Sequence, residues 1–511
     1  MRATAGAAMA LVAIGSLRIV STYTVFNHTI DEPDHLAAGM EYLHTGKYRY
    51  EDQHPPLARV CGAIGPSLAG ERWIAGPDSY LEGYRILGHG AHYDRILAFG
   101  RVGILPFFWI SALVVYLWGL RLGGPAAALA GTLLFTSLPP ILAHASLITT
   151  DMALACCTGA AGLASLWWAE RPDRHRSLAF GLMLGLACLS KFSALVFLPA
   201  GWLAMYVAYN RAAGYGLHQV RRGVRSWLPA GAIVLAAAFL VVWAGYGFSF
   251  ARVDFLHLRL PAPRFFSGLH SVWQHNRNGH PSYLLGHRSP DGFWSYFPIV
   301  LSIKTPLAML ILLIGAVWWQ RKTAAMPLAF SAGILLCAMS SRIDIGVRHV
   351  LPVYIGMAVA CGLAAARAWD AAGACRWSAR FALAGLLVWH VLSGAWQHPD
   401  YLAYTNEIAG RRPEQFVADS DLDWGQDMKR LGTFLSKAGA TQVTFSPFNR
   451  TYGLAGHSLP AMLPGDSDRP APGWNAVSVT MWKVFGFPAW ADRAAPPQRI
   501  GRSILVWHFQ E

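Results

Sequence analysis

Apolar residues gather into eleven runs along the chain, near 5–25, 102–120, 124–143, 147–168, 178–190, 192–209, 228–247, 295–319, 325–340, 350–368 and 381–396. A membrane-crossing helix needs about 20 such residues. The pattern therefore predicts a mainly α, polytopic membrane protein of about eleven transmembrane helices. Residues 178–209 read either as one long span or as two short ones broken at Ser190-Lys191. Two spans keep every basic loop on one side. Those loops hold Arg171, Arg174 and Arg176, then Arg211, Arg221, Arg222 and Arg225, then Arg321 and Lys322, then Arg367, Arg376 and Arg380. By the positive-inside rule they are cytoplasmic, which places the N-terminus inside as well. The external face then receives loops at about 27–98 and 248–294, a short one around Arg342 to His349, and the tail from Gln397.

Two external pieces carry element patterns of their own. After the first run, Pro33 suits a first helical turn, Asp31 and Glu32 suit its positive end, and Leu36, Met40 and Leu43 recur on one face. This predicts a helix lying along the membrane surface with its apolar side down. The tail is more polar and richer in Pro and Gly. Met428, Leu431, Phe434 and Leu435 keep helical spacing, and 442–445, 476–482 and 504–509 read as strands. A membrane domain over 1–396 and a small external α/β domain over 397–511 follow.

Composition agrees: 54% of the 511 residues are hydrophobic and only 14% are charged, outside the soluble globular range. The net charge of +14 sits in short loops between apolar runs rather than in one basic stripe, which argues against nucleic acid. Of the seven cysteines, Cys156, Cys157, Cys188, Cys337 and Cys361 lie in or beside apolar runs and only Cys61 falls in an external loop, so no disulfide framework is expected. The first run is long and lacks a small-residue cleavage site before Asp31, and reads as a retained helix.

Carboxylates where a membrane helix meets water are costly unless they do chemistry. Asp31 and Glu32 stand at such a place, though either can also simply cap the helix that follows. Asp151, in Thr149-Thr150-Asp151, falls on the same external side. So do Lys191, Lys304, Arg342, Arg348 and His349, cations where the positive-inside rule expects few. One such cation is ordinarily a snorkelling anchor; several beside carboxylates imply an anionic ligand, with phosphate the obvious candidate. His257, His270, His275, His280 and His287 share one external loop, which makes a divalent metal a candidate cofactor, with Asp31, Asp151 and His280 as candidate ligands. Their spacing matches no known ligand motif. Asp419-Ser420-Asp421-Leu422-Asp423-Trp424-Gly425-Gln426-Asp427 lacks the glycine placement and terminal Glu of a calcium loop and reads as a capping and turn segment.

Several short motifs together resemble the C-type superfamily of polytopic glycosyltransferases, and are similar to those of protein O-mannosyltransferases and lipid A aminoarabinose transferases. They are the Asp31-Glu32 pair, His54-Pro55-Pro56-Leu57, Thr150-Asp151, Leu189-Ser190-Lys191, Tyr283-Leu284-Leu285-Gly286, Tyr296-Phe297-Pro298 with Lys304-Thr305-Pro306, and Gly346-Val347-Arg348-His349. Each is weakly specific alone, but their order and membrane side agree. The resemblance implies a hexosyl- or pentosyltransferase of a bacterial inner membrane. Such an enzyme would move a sugar from a polyprenyl phosphate to a hydroxyl of a lipid, glycan or protein on the outer face, with inversion. Asp31 would be the general base, with Glu32 beside it. Asp151 would orient the acceptor or help to bind a metal, and His54, Lys191, Lys304, Arg348 and His349 would hold the donor phosphate. The rival reading is a transporter or flippase for lipid-linked sugars, which would favour charge near the bilayer midplane and related halves; here charge clusters at the external ends and no repeat is seen.

Overall fold

A computed structural model describes residues 2–213, 217–319, 323–371, 376–448 and 458–510, and every one of the eleven apolar runs is helical in it. α1 (Arg2–Val20) is followed by α2 (Glu32–Thr45), α3 (Pro56–Leu68), α4 (Ser79–Leu87) and α5 (Gly90–Val102). Local chemistry sets these ends. Pro33 and Pro56 stand in first turns, where a missing amide costs nothing, and the Asp78 carboxylate accepts the Leu81 amide to start α4.

α2 is not a surface helix. Leu36, Ala37 and Met40 are buried, packed with Ala63, Ile86, Leu87 and Ile96 from α3 to α5, and Ala38 is buried against Tyr48 and Leu189, while Leu43 at the far end stays exposed. The sequence gives no sign of the cover, because α3 and α4 come later in the same loop. Glycines permit the close approach: a Cβ at Gly39 would strike the Arg59 carbonyl, and one at Gly83 the backbone of Pro33.

α6 (Leu105–Thr136) reverses at Gly124, whose φ of 73° an L side chain rarely adopts, just before Pro125. Phe108 and Phe135 stack across that reversal, 6.3 Å between ring centroids. Then come α7 (Pro139–His144), α8 (Asp151–Glu170), α9 (Arg174–Ser190), α10 (Ala194–Ala213) and α11 (Leu217–Gly245). α9 and α10 are separate helices with extended backbone at Lys191. The loop that follows contains the hairpin β1 (Phe250–Val253) and β2 (Leu258–Pro261), α12 (Pro263–Asn278), and the hairpin β3 (Ser282–Leu284) and β4 (His287–Ser289).

The run at 295–319 is two helices, α13 (Tyr296–Lys304) and α14 (Leu307–Trp319), bent by 116° at Thr305-Pro306; Pro306 interrupts helical hydrogen bonding there. α15 (Ala325–Ala338), α16 (Val353–Asp370) and α17 (Arg376–Trp396) complete the membrane region. α16 is buried from Val353 to Ala365 and forms the centre of the bundle. Among the described residues, five helical stretches are long and apolar enough to cross a membrane, or six counting the bent α13–α14 pair. The Arg321-Lys322 loop and the side chains of Arg221, Arg222, Arg225 and Arg376 lie outside the described residues.

The tail holds α18 (Met428–Lys437), β5 (Gln442–Ser446), β6 (Ala461–Pro464), β7 (Gly473–Ser478), α19 (Val479–Lys483), β8 (Gln498–Ile500) and β9 (Ile504–Phe509). The sheet order is β6-β5-β7-β9-β8, with β5 parallel to β6 and β7, and β9 antiparallel to β7 and β8. α18 buries Met428, Leu431 and Leu435 against Val443, Phe445, Ile504 and Val506. The stretch expected as a strand over 476–482 changes state at Ser478, where α19 begins.

Candidate active site

Four chain segments deliver charge to one place. Asp31 precedes α2 and makes no side-chain capping bond. Its carboxylate, about a quarter exposed, meets Arg348 Nη1 at 3.1 Å. Arg348 lies in a short 3₁₀ turn (Val347–Val350) just before α16 and stands 3.8 Å from Asp151 Oδ2. Asp151 opens α8, and its Oδ1 accepts from Lys191 Nζ at 2.6 Å. The extended backbone at Lys191 breaks the helical course between α9 and α10.

Asp31, Arg348, Asp151 and Lys191 thus form a chain of alternating charge in which only Asp31 is appreciably open to solvent. Coulomb attraction is strong in such a buried setting, and each charge depends on its neighbours for compensation. Arg348 Nε and His349 Nε2 are buried without a hydrogen-bond partner, and Asp151 Oδ2 has only the longer ion pair. The unfilled Arg348 Nε donor, and His349 Nε2 in the tautomer that carries its proton there, stand beside Lys191 where an incoming anion would use them.

Other expected residues are placed differently. Glu32 is fully buried and turned away: it accepts from Arg101 Nη2 at 2.8 Å and Nε at 2.9 Å, and from the amides of Thr29 and Ile148. Such a saturated carboxylate braces the turn that carries Asp31 rather than taking a proton. Lys304 donates to the carbonyls of Leu402 and Asp421, which ties α13 to the tail. His54 belongs to an adjoining network in which Arg59 pairs with Asp34 at 2.9 Å, bonds His35 at 2.8 Å and contacts Glu51. The rings of His54 and His35 meet edge-on at 5.0 Å. His280 bonds His275 at 3.2 Å; burial, His275 and Arg348 push it down to about 4, so it is neutral at pH 7.

A divalent metal does not fit these donors. Among the described residues no three His, Cys, Asp or Glu side chains come together to hold one, and the space between Asp31 and Asp151 is bridged by the Arg348 guanidinium.

Arg59 and Arg101 were not singled out by sequence reasoning, and Asp419 and Trp424 were read only as part of a capping and turn segment. The Arg348 guanidinium lies over the Trp424 ring, 4.1 Å from its centroid. Asp419 is buried and lies in the field of Arg348 and Asp31; burial pushes its carboxyl up to about 7 against the pull of Arg348. The remaining aspartates of that run accept donors mostly distant in sequence: Asp421 accepts the Val347 amide and the Tyr296 hydroxyl. Asp423 accepts the amides of Thr480 and Gly425 and the Ser478 hydroxyl, and Asp427 accepts the amides of Arg502 and Ser503.

A family model described as dolichyl-phosphate-mannose-protein mannosyltransferase matches residues 9–258. No curated protein shows significant sequence similarity to the chain. Among solved structures, ArnT from Cupriavidus metallidurans bound to undecaprenyl phosphate is similar at a TM-score of 0.53 and 13% identity, over 98% of this chain and 97% of that one. Its apo form gives 0.52 and 13%, over 99% and 98%. The Archaeoglobus fulgidus oligosaccharyltransferase tethered with an acceptor peptide gives 0.50 and 12%, over 96% of this chain and 72% of that one. At such identities the structural likeness shows the fold, and the sequence match covers the region that holds Asp31, Asp151 and Lys191. Together they show a membrane fold like that of ArnT and, over residues 9–258, sequence similarity to that mannosyltransferase family.

Proposed function

We propose that the protein moves a sugar from a polyprenyl phosphate to an acceptor hydroxyl on the external face of a bacterial inner membrane. The Asp31–Arg348–Asp151–Lys191 chain carries this reading. Asp31, the member open to solvent, takes the hydroxyl proton. The freed oxygen attacks the anomeric carbon as the bond from that carbon to the phosphate oxygen breaks, and the electron pair leaves on the phosphate. Arg348 and Lys191, with His349 and more distantly His54, take up that charge, an electrostatic contribution that is commonly the largest in such sites. Asp151 holds both cations in place. Attack from the face opposite the leaving group inverts the anomeric centre.

An apolar channel supports a lipid donor. A cavity of about 390 Å³ between α8, α9, α10, α11 and α15 is lined by Trp168, Leu184, Trp202, Leu235 and Phe330. A second of about 250 Å³ shares Leu184 and Leu235 and reaches Phe265 on α12. Phe265 packs on Phe192, 5.3 Å between centroids, the residue after Lys191. An isoprenoid lying there would bring its phosphate to the charged chain. ArnT, with the same fold, has been solved with undecaprenyl phosphate bound. The acceptor is a lipid, glycan or protein.

The test incubates purified protein with radiolabelled polyprenyl phosphate sugars and compares Asp31→Asn with the parent. Donor turnover lost in the variant is expected; undiminished turnover would remove Asp31 as the base. Product NMR showing retention would exclude inversion.

A further inference from the structure

The run from Asp419 to Met428 belongs to the C-terminal segment, yet it touches both sides of the Asp31–Arg348 pair. One side is the Arg348 loop. Ser420 Oγ donates to the Ile345 carbonyl, Asp421 Oδ1 accepts the Val347 amide at 2.9 Å, and Trp424 lies against the Arg348 guanidinium. Gly346 between them has φ 147°, and a Cβ there would strike Ser420 Oγ. The other side is the Asp31 segment. The Trp424 carbonyl accepts the Ile30 amide at 3.1 Å, the Gly425 carbonyl accepts Asn27 Nδ2 at 2.7 Å, and Asn27 Oδ1 accepts the Met428 amide at 2.8 Å.

The run is itself held stiff. Gln426 accepts the Trp424 amide and donates to the Leu422 carbonyl, while Asp423 and Asp427 are fixed by donors from α19 and from the turn between β8 and β9. Asp419 has φ 52°, a conformation that a non-glycine residue keeps only where its surroundings impose it, and its amide donates to Thr480 Oγ1. Two external loops far apart in sequence are thereby set against one rigid turn. Shared backbone and aromatic contacts of this kind fix the relative position of side chains that must react together.

We propose that this turn is a positioning element for the proposed transfer, with Trp424 the residue that aims the Arg348 guanidinium at the donor phosphate and Asn27 and Asp421 the residues that hold the Asp31 and Arg348 segments in register. This deepens the transferase reading and rests on it. It gives the C-terminal domain a part in the chemistry, although its residues do not touch the reacting atoms.

The experiment uses the full chain in detergent. Trp424→Leu removes the aromatic face and is expected to raise donor KM and lower kcat, for a loss of about tenfold or more in donor kcat/KM, with acceptor KM unchanged. Trp424→Phe keeps a face and should stay near the parent. A role confined to folding would lower the amount of active protein without moving donor KM. Should Trp424→Leu fail to fold, Ser420→Ala takes its place; it loses one hydrogen bond and is expected to raise donor KM about threefold. Parental donor kinetics in these variants would overturn the proposal. Binding of undecaprenyl phosphate alone is measured alongside. If the parent turns over no donor, the transferase reading fails, while weaker binding by Trp424→Leu still supports the turn's role and equal binding overturns it. Absence of binding by the parent overturns both.

Discussion

Lys191 Nζ stands 2.6 Å from Asp151 Oδ1, with Asp151 fully buried and Lys191 nearly so. Removing one partner of a buried pair costs about 3–5 kcal/mol, because the other charge is left without compensation. Asp151→Asn is therefore expected to lower thermal stability by that order and to abolish turnover. In the double variant Asp151→Asn with Lys191→Met, stability should recover in part while activity does not. Melting curves in detergent for the full mutant cycle check this; additive losses would show that the two residues do not act as a pair.

Adjacent carboxylates should separate cleanly. Asp31 is partly exposed, whereas Glu32 is saturated by Arg101 and two amides. Asp31→Asn is expected to cut kcat by about 10²–10⁴-fold with a smaller stability loss than Asp151→Asn, because Asp31 is a quarter exposed and Arg348 keeps Asp151 as a partner. Glu32→Gln should do the reverse, destabilising by about 3–5 kcal/mol with kcat per folded molecule much less affected. Paired measurements of kcat and melting temperature decide the matter.

Acid should stabilise the docked tail. Burial raises Asp419 from 3.8 to about 7 in the fold, with Arg348 opposing and Asp31 and Asp421 reinforcing. The folded state thus binds this proton more tightly than the unfolded chain, so the contribution is complete below about 4 and is lost as pH rises towards 7. Asp423, pushed up by burial to about 6, acts in the same sense over a narrower window. Melting temperature is expected to fall as pH goes from 5 to 8, and Asp419→Asn should flatten the upper part of that slope. An unchanged slope would remove Asp419 as its source.

Blocking the apolar channel should discriminate by chain length. Leu184 lines both cavities between α9 and α11, and Leu184→Trp would fill space there. Donor KM should rise for long isoprenoid chains and stay nearly unchanged for short soluble analogues. An equal rise for both would place the lipid elsewhere.

Much of the site was legible because charge at an external helix end breaks an expected pattern. Asp31, Asp151, Lys191, Arg348 and His349 all stood out that way, and the structure gathers them. The same signal selected Lys304 and Glu32, whose partners, the Leu402 carbonyl and Arg101, lie 98 and 69 residues away. Nothing in local sequence tells a charge awaiting a ligand from one already satisfied at such distance. The helical runs were equally readable, but not the 116° bend between α13 and α14 or the cover over α2, which depend on what packs alongside. The aspartate-rich run is a turn as expected, but it does not cap α18, since Asp427 makes no side-chain capping bond there; what it grips came only from three dimensions.

The Lys304 ammonium, buried and held by the Leu402 and Asp421 carbonyls, has a consequence for biosynthesis. Until the segment that carries Leu402 and Asp421 has been made and docked, that ammonium has neither acceptor and the Asp31 and Arg348 loops lack the turn that joins them. If the protein is the proposed transferase, a half-made chain would not yet hold its two charged loops in register, so its activity would begin only once the tail has folded against them.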